Sequence, residues 1–430
     1  MTHDTRWMRR ALRLAQKAEG QTRPNPPVGA VVVKDGRVIG EGFHARAGLP
    51  HAEVVALDAC RTSPRGATLY VTLEPCSTTG RTPPCTERII RDNIKRVVVG
   101  CPDPSPRHAG AGLAQLAEAG IEVIEGICRE HAEDLIAPFA KHITTGLPFV
   151  TLKLALTLDG HTADRVSSSK WITGEKARAE VQRMRRRADA VMVGAGTVLV
   201  DDPSLLCRLP GGGELMRVIV DGYGMTPPTA RVLTDDAAAR TVVATLYGTT
   251  GKYGTAGNKH RAWKAHGARV WAFRCDKQAN IPLHKLMKRL GEEGCLHVLC
   301  EGGAELAGIL HDAGLIDEYA FFYAPAVLGD MKAFGSVEGR GTLLADMKRL
   351  TVKTVQRFGD DILVRVRSRK TEDGKKVGRR RPRLAVRAES PSHSSDGFQP
   401  LCNTNARQGC RTYFNRAEGL ASNSTGQRPV

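Results

Sequence analysis

The sequence predicts an α/β protein with two consecutive layered domains and a tail that builds no core. Helical and strand-like apolar periods alternate through the first 150 residues, the mark of a layered α/β domain. A second alternation starts afresh from Thr145. The chain has 430 residues, too many for one core at roughly 150 residues per domain.

The first element reads as a helix. Met8, Ala11, Leu12 and Ala15 recur at i, i+3, i+4 and i+7, after Asp4 and Thr5, which can cap it. "VGAVVVKDGRVIGEGFH" reads as a hairpin turning at Asp35-Gly36. A helix follows near "PHAEVVALDAC", with Pro50 suited to its first turn. Strands follow in "ATLYVTL" and "RVVVGC", then a helix and strand in "LAQLAEAGIEVIEGI". Gly146 and Pro148 punctuate the next helical stretch and put the boundary near residue 147. Beyond it, strand patterns run through "TLKLALTL", "ADAVMVGAG", "MRVIVDG", "CLHVLCEGG" and "DILVRVR". The expected domains are 1–147 and 148–367. Residues 368–430 are charged, polar and short of large apolar groups, so they are expected to be disordered.

Composition narrows the function classes. No apolar run approaches the ~20 residues of a membrane helix, and "MTHDTRWMRR" lacks the apolar core of a secretory signal. The expectation is a cytoplasmic protein without a membrane partner. Eleven cysteines in so long a chain suit buried thiols, metal ligands or catalytic groups rather than a disulfide framework. The net charge is +18. Residues 368–430 hold 13 Lys/Arg against 5 Asp/Glu, so any nucleic-acid partner would meet the tail. That tail offers only Phe398, Tyr413 and Phe414 for base stacking, which argues against an RNA-binding protein.

The chemistry concentrates at His51, Glu53, Cys76 and Cys85. Taken singly, the cysteines read as core thiols and His51 as a surface residue. Together they form an N/S/S set that suits tetrahedral zinc with one open position, where water becomes a nucleophile at neutral pH. Glu53 is then the proton carrier. Pro83 and Pro84 suggest that Cys85 opens a helix whose dipole favours a thiolate. The second half carries no G-x-G-x-x-G fingerprint, so a Rossmann dinucleotide site is unsupported. "CEGGAEL" follows a strand, and its paired glycines let backbone N–H groups approach a phosphate.

"HAE" with "PC" and "PPC" resembles the nucleobase deaminase superfamily. The nine-residue spacing of the cysteines, with "RPNPPVGAVVVKDGRVIGEGFHARAGLPHAEV", is similar to the bifunctional deaminase/reductases of riboflavin biosynthesis. "KLALTLDG", "SKWITG", "GAGTVLVDDPSLLCR", "EGGAELAGIL" and "DEYAFFYAPAVLG" resemble the reductase half of that family, in the same order. The resemblance spans about residues 5 to 367. It implies a cytidine-deaminase-like domain, then a dihydrofolate-reductase-like domain. It also implies zinc and NADPH as cofactors, a pyrimidine ribosyl phosphate as substrate, and a homo-oligomer. The implied reactions are hydrolytic loss of the ring amine and hydride transfer to C1′, which opens the ribose to a ribityl chain.

On that resemblance Asn25, His44 and Arg81 bind the diaminopyrimidinone, and Glu53 shuttles protons. Leu156, Trp171, Thr197, Asp201, Gly303, Ala304 and Leu306 fall at NADP contacts. Lys153, Ser169, Arg185, Leu205, Arg208 and Glu301 fall at contacts to the reductase substrate, with the arginines suited to its phosphate. By pattern alone, Arg185 could equally lie on a solvated helix face and Lys153 at a sheet edge. Many family members have histidine where this chain has Thr78, which leaves open a reductase with an impaired deaminase.

Overall fold

Packing starts with α1 (His3–Gln16) in the computed structural model, which describes residues 3–80, 82–106, 108–210, 212, 214–247, 256–276 and 280–368. Trp7, Met8, Ala11, Leu12 and Ala15 form the buried stripe of α1. Asp4 lies inside the first turn rather than capping it. Its carboxylate accepts the Tyr70 hydroxyl at 2.7 Å and both terminal nitrogens of Arg96 at 2.9 Å.

The first sheet contains β1 (Gly29–Lys34), β2 (Arg37–Phe43), β3 (Thr68–Leu73), β4 (Arg96–Cys101) and β5 (Glu122–Glu125), in the order β2-β1-β3-β4-β5. β1 runs antiparallel to β2 and β3, whereas β3, β4 and β5 are parallel. Successive side chains of a strand point to opposite faces. Ala30 and Val32 therefore join a core with α2 (Ala52–Asp58), α3 (Cys85–Arg91) and α4 (Ala111–Glu118). Val31 and Val33 join the other core, with α1 and α5 (Arg129–Leu135). Gly29 lets α1 lie close to β1, since a Cβ there would sit 2.1 Å from the Ala11 carbonyl oxygen.

After α6 (Ala137–Thr145), Gly146 takes φ +71° and the chain enters the second sheet at β6 (Phe149–Leu156). The succession continues with α7 (Glu175–Arg187), β7 (Ala190–Gly194), α8 (Ala195–Asp201), β8 (Met216–Val220), α9 (Arg231–Thr234) and β9 (Thr241–Leu246). It runs on through α10 (Ala256–Ala265), β10 (Arg269–Phe273), α11 (Leu283–Glu292), β11 (His297–Cys300), α12 (Ala304–Asp312) and β12 (Glu318–Tyr323). β13 (Leu350–Phe358) and β14 (Asp361–Ser368) complete it. The order is β10-β9-β8-β7-β11-β6-β12-β14-β13. β10 through β12 are parallel, and β14 is antiparallel to β12.

β6 runs between β11 and β12, so Lys153 belongs to an interior strand and the sheet-edge alternative is excluded. Both lobes fall in one compact unit, Met1–Lys348 with Val352–Arg367. The other unit, Arg349–Thr351 with Ser368–Val430, lies almost wholly outside the described residues, as does the expected disorder of the tail.

Candidate active sites

In the first lobe two short helices start against each other. His51 is the N-cap of α2 in extended conformation, so that helix begins at Ala52 and Pro50 stands just outside it rather than in its first turn. Pro84 is the N-cap of α3, and Cys85 opens the helix as the two prolines suggest. Cys76 lies three residues beyond the end of β3.

These elements bring His51 Nδ1 to 3.3 Å from Cys85 Sγ and 3.5 Å from Cys76 Sγ, and the three ligand atoms lie within 4.8 Å of one another. Tetrahedral zinc with ordinary Zn–S and Zn–N bonds places its nitrogen and sulfur ligands about 3.6 Å apart. The donor set and its spacing therefore fit zinc. The Cys85 backbone N–H points at Cys76 Sγ at 3.4 Å, a donor that favours the thiolate. With Cys85 and His51 also bonded to it, the Cys76 thiol is pulled well down, while that bond and burial push the Cys85 thiol up.

Glu53 is buried beside this cluster. Burial, then the negative Cys76, raise its carboxyl to about 7. Asn25 Nδ2 lies 3.0 Å from His44 Nε2, and His44 Nδ1 lies 3.1 Å from the Pro50 carbonyl. The carbonyl can only accept, so Nδ1 carries the hydrogen and Nε2 accepts from the amide. The Asn25 side chain therefore turns its NH2 end, and not its oxygen, to His44. Burial lowers the pKa of His44, which keeps the ring neutral, and its ring packs edge-on against His51 at 5.3 Å. Thr78 is exposed, and Arg81 lies outside the described residues.

Glu74 escaped the reading of the sequence. Its buried carboxylate accepts the backbone N–H groups of Asp103 at 3.0 Å, Gly110 at 3.1 Å and Gly112 at 3.0 Å, tying the β4–α4 loop to the segment that carries Cys76. The one available signal was an acidic residue directly before Pro75-Cys76.

In the second lobe the candidates gather at the C-terminal ends of β6, β7 and β11, where ligands bind in open parallel sheets. Gly194 and Gly303 are the N-caps of α8 and α12. Their turns face each other: a Cβ at Gly303 would lie 3.9 Å from Thr197 Oγ1, and one at Gly194 would lie 3.9 Å from Leu306 Cβ. Thr197, Gly303, Ala304 and Leu306 thus share one place. Asp201 accepts from Ser169 Oγ at 3.4 Å and pairs with Lys170 at 3.2 Å. Trp171 is 68% exposed, with the Arg178 guanidinium 4.7 Å above its ring. Leu156, at the end of β6, is buried.

Arg185 is not on a solvated face. Its Nε and one terminal nitrogen grip Glu301 at 2.6 and 3.1 Å, and the other donates to the Leu206 carbonyl at 3.0 Å. The pair is buried, with 11% and 9% of the side chains exposed. Burial lowers the pKa of the neighbouring Lys153, opposed by Glu301. Arg208 is exposed, and its backbone N–H is held by Gln182 Oε1 at 2.9 Å. Leu205 is buried at φ +55°, so it can offer a ligand only its backbone.

Residues 148–364 match the RibD C-terminal domain family. Residues 1–101 match the cytidine and deoxycytidylate deaminase zinc-binding region. The chain is 41% identical over 377 residues to the riboflavin biosynthesis protein RibD of Bacillus amyloliquefaciens, covering 87% of this chain and 99% of the relative. It is 39% identical over 370 residues to RibD of Escherichia coli (strain K12), covering 84% and 98%. A solved structure of Acinetobacter baumannii RibD superposes with a TM-score of 0.73 at 38% identity, covering 86% of this chain and 99% of that one. A diaminohydroxyphosphoribosylaminopyrimidine deaminase/5-amino-6-(5-phosphoribosylamino)uracil reductase from Thermotoga maritima gives 0.72 at 38% identity, covering 85% and 99%.

Proposed function

The chain belongs to the RibD family of riboflavin biosynthesis proteins, a zinc-dependent deaminase joined to an NADPH-dependent reductase, and on that premise we propose how its own residues divide the work. The substrate is 2,5-diamino-6-ribosylamino-4(3H)-pyrimidinone 5′-phosphate, and the product is 5-amino-6-(5-phosphoribitylamino)uracil. The observation that carries this reading is the His51–Cys76–Cys85 cluster with buried Glu53 beside it.

His51, Cys76 and Cys85 would hold the zinc, which supplies Lewis-acid activation of water. Glu53 takes the proton of the attacking water and returns it to the departing amine, as a carboxyl poised near the working pH can. Asn25 accepts a pyrimidine N–H through its free carbonyl oxygen, and neutral His44 holds the amide in place. By the family resemblance, Arg81 is assigned as a further contact of this substrate. The net change is water for ammonia at one ring carbon.

In the second lobe, bound NADPH supplies the hydride. Leu156, Trp171, Thr197, Asp201, Gly303, Ala304 and Leu306 position it, and the orientation is the protein's share of this chemistry. The hydride would be added at C1′ and a proton at the oxygen released from C1′, so that the ribose opens to a ribityl chain. Arg208 grips the 5′-phosphate. Arg185 holds Glu301 toward the ribose, while Lys153, Ser169 and the Leu205 backbone complete the contacts.

The lobes are assigned to residues 1–147 and 148–367, the protein to the cytoplasm and its quaternary structure to a homo-oligomer. A reducing compartment suits its nine free cysteines among the described residues, and no helix there is long and apolar enough to cross a membrane. Nucleic acid would meet only the basic segment 368–430.

Mass spectrometry of products formed with zinc present and NADPH absent tests the reading. The expected product has a ring carbonyl in place of the amine, and added NADPH then increases its mass by two hydrogens. Unchanged substrate over the zinc-loaded protein would overturn the deaminase assignment.

A further inference from the structure

The deaminase residue Asn25 ends a turn that the first lobe does not hold by itself. Asn25 N–H donates to the Thr22 carbonyl at 2.8 Å, and Thr22 Oγ donates to the Asn25 carbonyl at 2.8 Å, closing the turn Thr22–Asn25. Everything that anchors its outer side comes from the second lobe among the described residues. Arg23 pairs with Asp189 at 3.4 Å. Glu19 pairs with Arg187 at 3.4 Å. Gly20, at φ +81°, presses its backbone on α7, where a Cβ would come within 2.5 Å of the Arg186 carbonyl oxygen.

Asp189 is itself fixed. Its Oδ2 accepts the backbone N–H groups of Leu296 at 2.8 Å and His297 at 2.9 Å, leaving Oδ1 for Arg23. The side chain is 7% exposed, so it has little room to reorient. Between the lobes lies a cavity of about 90 Å³, lined among others by Asn25, Arg23, Asp189, Arg187, Glu318 and Arg365. The outer side of the turn borders this cavity, so these polar tethers from the second lobe add to the hold that His44 has on the Asn25 amide.

We propose that the reductase lobe completes the deaminase site: Asp189, through Arg23, is a positioning residue that sets the Asn25 side-chain amide oxygen against the pyrimidine. The inference rests on the reading of Asn25 as a substrate contact. A carbonyl displaced by even a fraction of an ångström weakens a hydrogen bond that is sensitive to distance and angle. The zinc ligands stand on α2, α3 and the segment between β3 and α3, so they are untouched by such a shift. The consequence is selective, a loss in KM rather than in metal or in chemistry.

The test uses the full chain, zinc-loaded, with the two half-reactions assayed separately. R23Q and D189N are each expected to raise the deaminase KM roughly two- to fivefold, the scale of one partly exposed ion pair. Zinc content and kcat should stay within about twofold, as should the reductase constants measured on the deaminated intermediate. D189N keeps an oxygen for Leu296 and His297, so the second sheet has no reason to loosen. R23K should recover most of the affinity, which a purely structural role would not require. The double variant R23Q/D189N should be no worse than either single one, because both remove the same tether.

N25A separates this inference from the reading beneath it. If N25A raises the KM and R23Q does not, the inference is overturned while Asn25 keeps its role. If N25A leaves the KM unchanged, the substrate contact itself is wrong and the positioning role goes with it.

Discussion

The two active sites draw on very different lengths of chain. The deaminase centre takes its proposed metal ligands and proton carrier from residues 51–85, held by two helix starts and one segment beyond a strand. The reductase centre takes its candidates from residues 153–306, spread over the ends of several strands and the loops between them. The first is a tight set of ligand atoms within 4.8 Å of one another; the second depends on a buried pair, Arg185 and Glu301, 116 positions apart in the chain. The lesson concerns failure as much as assembly. A compact centre fails at single ligands, whereas a dispersed one fails through the packing that holds it.

The sharpest division of the two is metal removal. Chelation of zinc, or C85S, should take deamination to background while NADPH-dependent reduction of the deaminated intermediate continues. Loss of both activities together would break the comparison. E53Q comes next, with deaminase kcat lower by about 10²–10⁴ and zinc retained, the usual worth of a general acid–base group. A metal assay alongside steady-state kinetics checks it.

On the other side, R185A strips largely buried Glu301 of its two-pronged partner and leaves it only the charge of Lys153, which should destabilise the chain by up to about 3–5 kcal/mol and disable the reductase. R208Q should raise the reductase KM without that loss, because Arg208 is exposed. Denaturant titration read beside kinetics distinguishes them, and equal stability losses would sink the contrast.

His297 lies at the start of β11, at the opposite end of that strand from Glu301, with Thr151 Oγ1 at 2.9 Å from its Nε2. Burial brings its pKa down to about 4 from the ordinary 6.5. Between those values the unfolded chain binds more protons, so stability is complete above pH 6.5 and declines as pH falls toward 4. The loss reaches about 3 kcal/mol at most. H297N should lack it, and unfolding curves at pH 7 and pH 4.5 for both chains measure the difference. The smallest effect belongs to exposed Thr78. T78H should lower the deaminase KM by less than about tenfold, the worth of one hydrogen bond, with stability unchanged.

The contrast in length of chain also explains what could be read beforehand. Pro84 before Cys85 and the "HAE" triplet announce their own geometry, because a proline and a helix start act over a few residues. Even there the start of α2 falls at Ala52, past Pro50, because His51 stays extended as the N-cap. Asp4, which locally resembles a cap, was claimed instead by Tyr70 and Arg96 from two neighbouring strands. Arg185 could not be told from a solvated arginine until β11 brought Glu301 beside it.

By itself the sequence determined the alternation of helix and strand, the change of sheet near Gly146, the three residues that converge as candidate metal ligands and the family. Each of these is written in residues close together or in motifs carried whole. Only the tertiary structure decided that Lys153 lies on an interior strand, that Glu74 ties down the β4–α4 loop, and that Asp189 reaches across to Arg23. Those facts depend on which strands become neighbours and which lobe lies against which turn. Contacts between distant positions leave no local period or spacing to read.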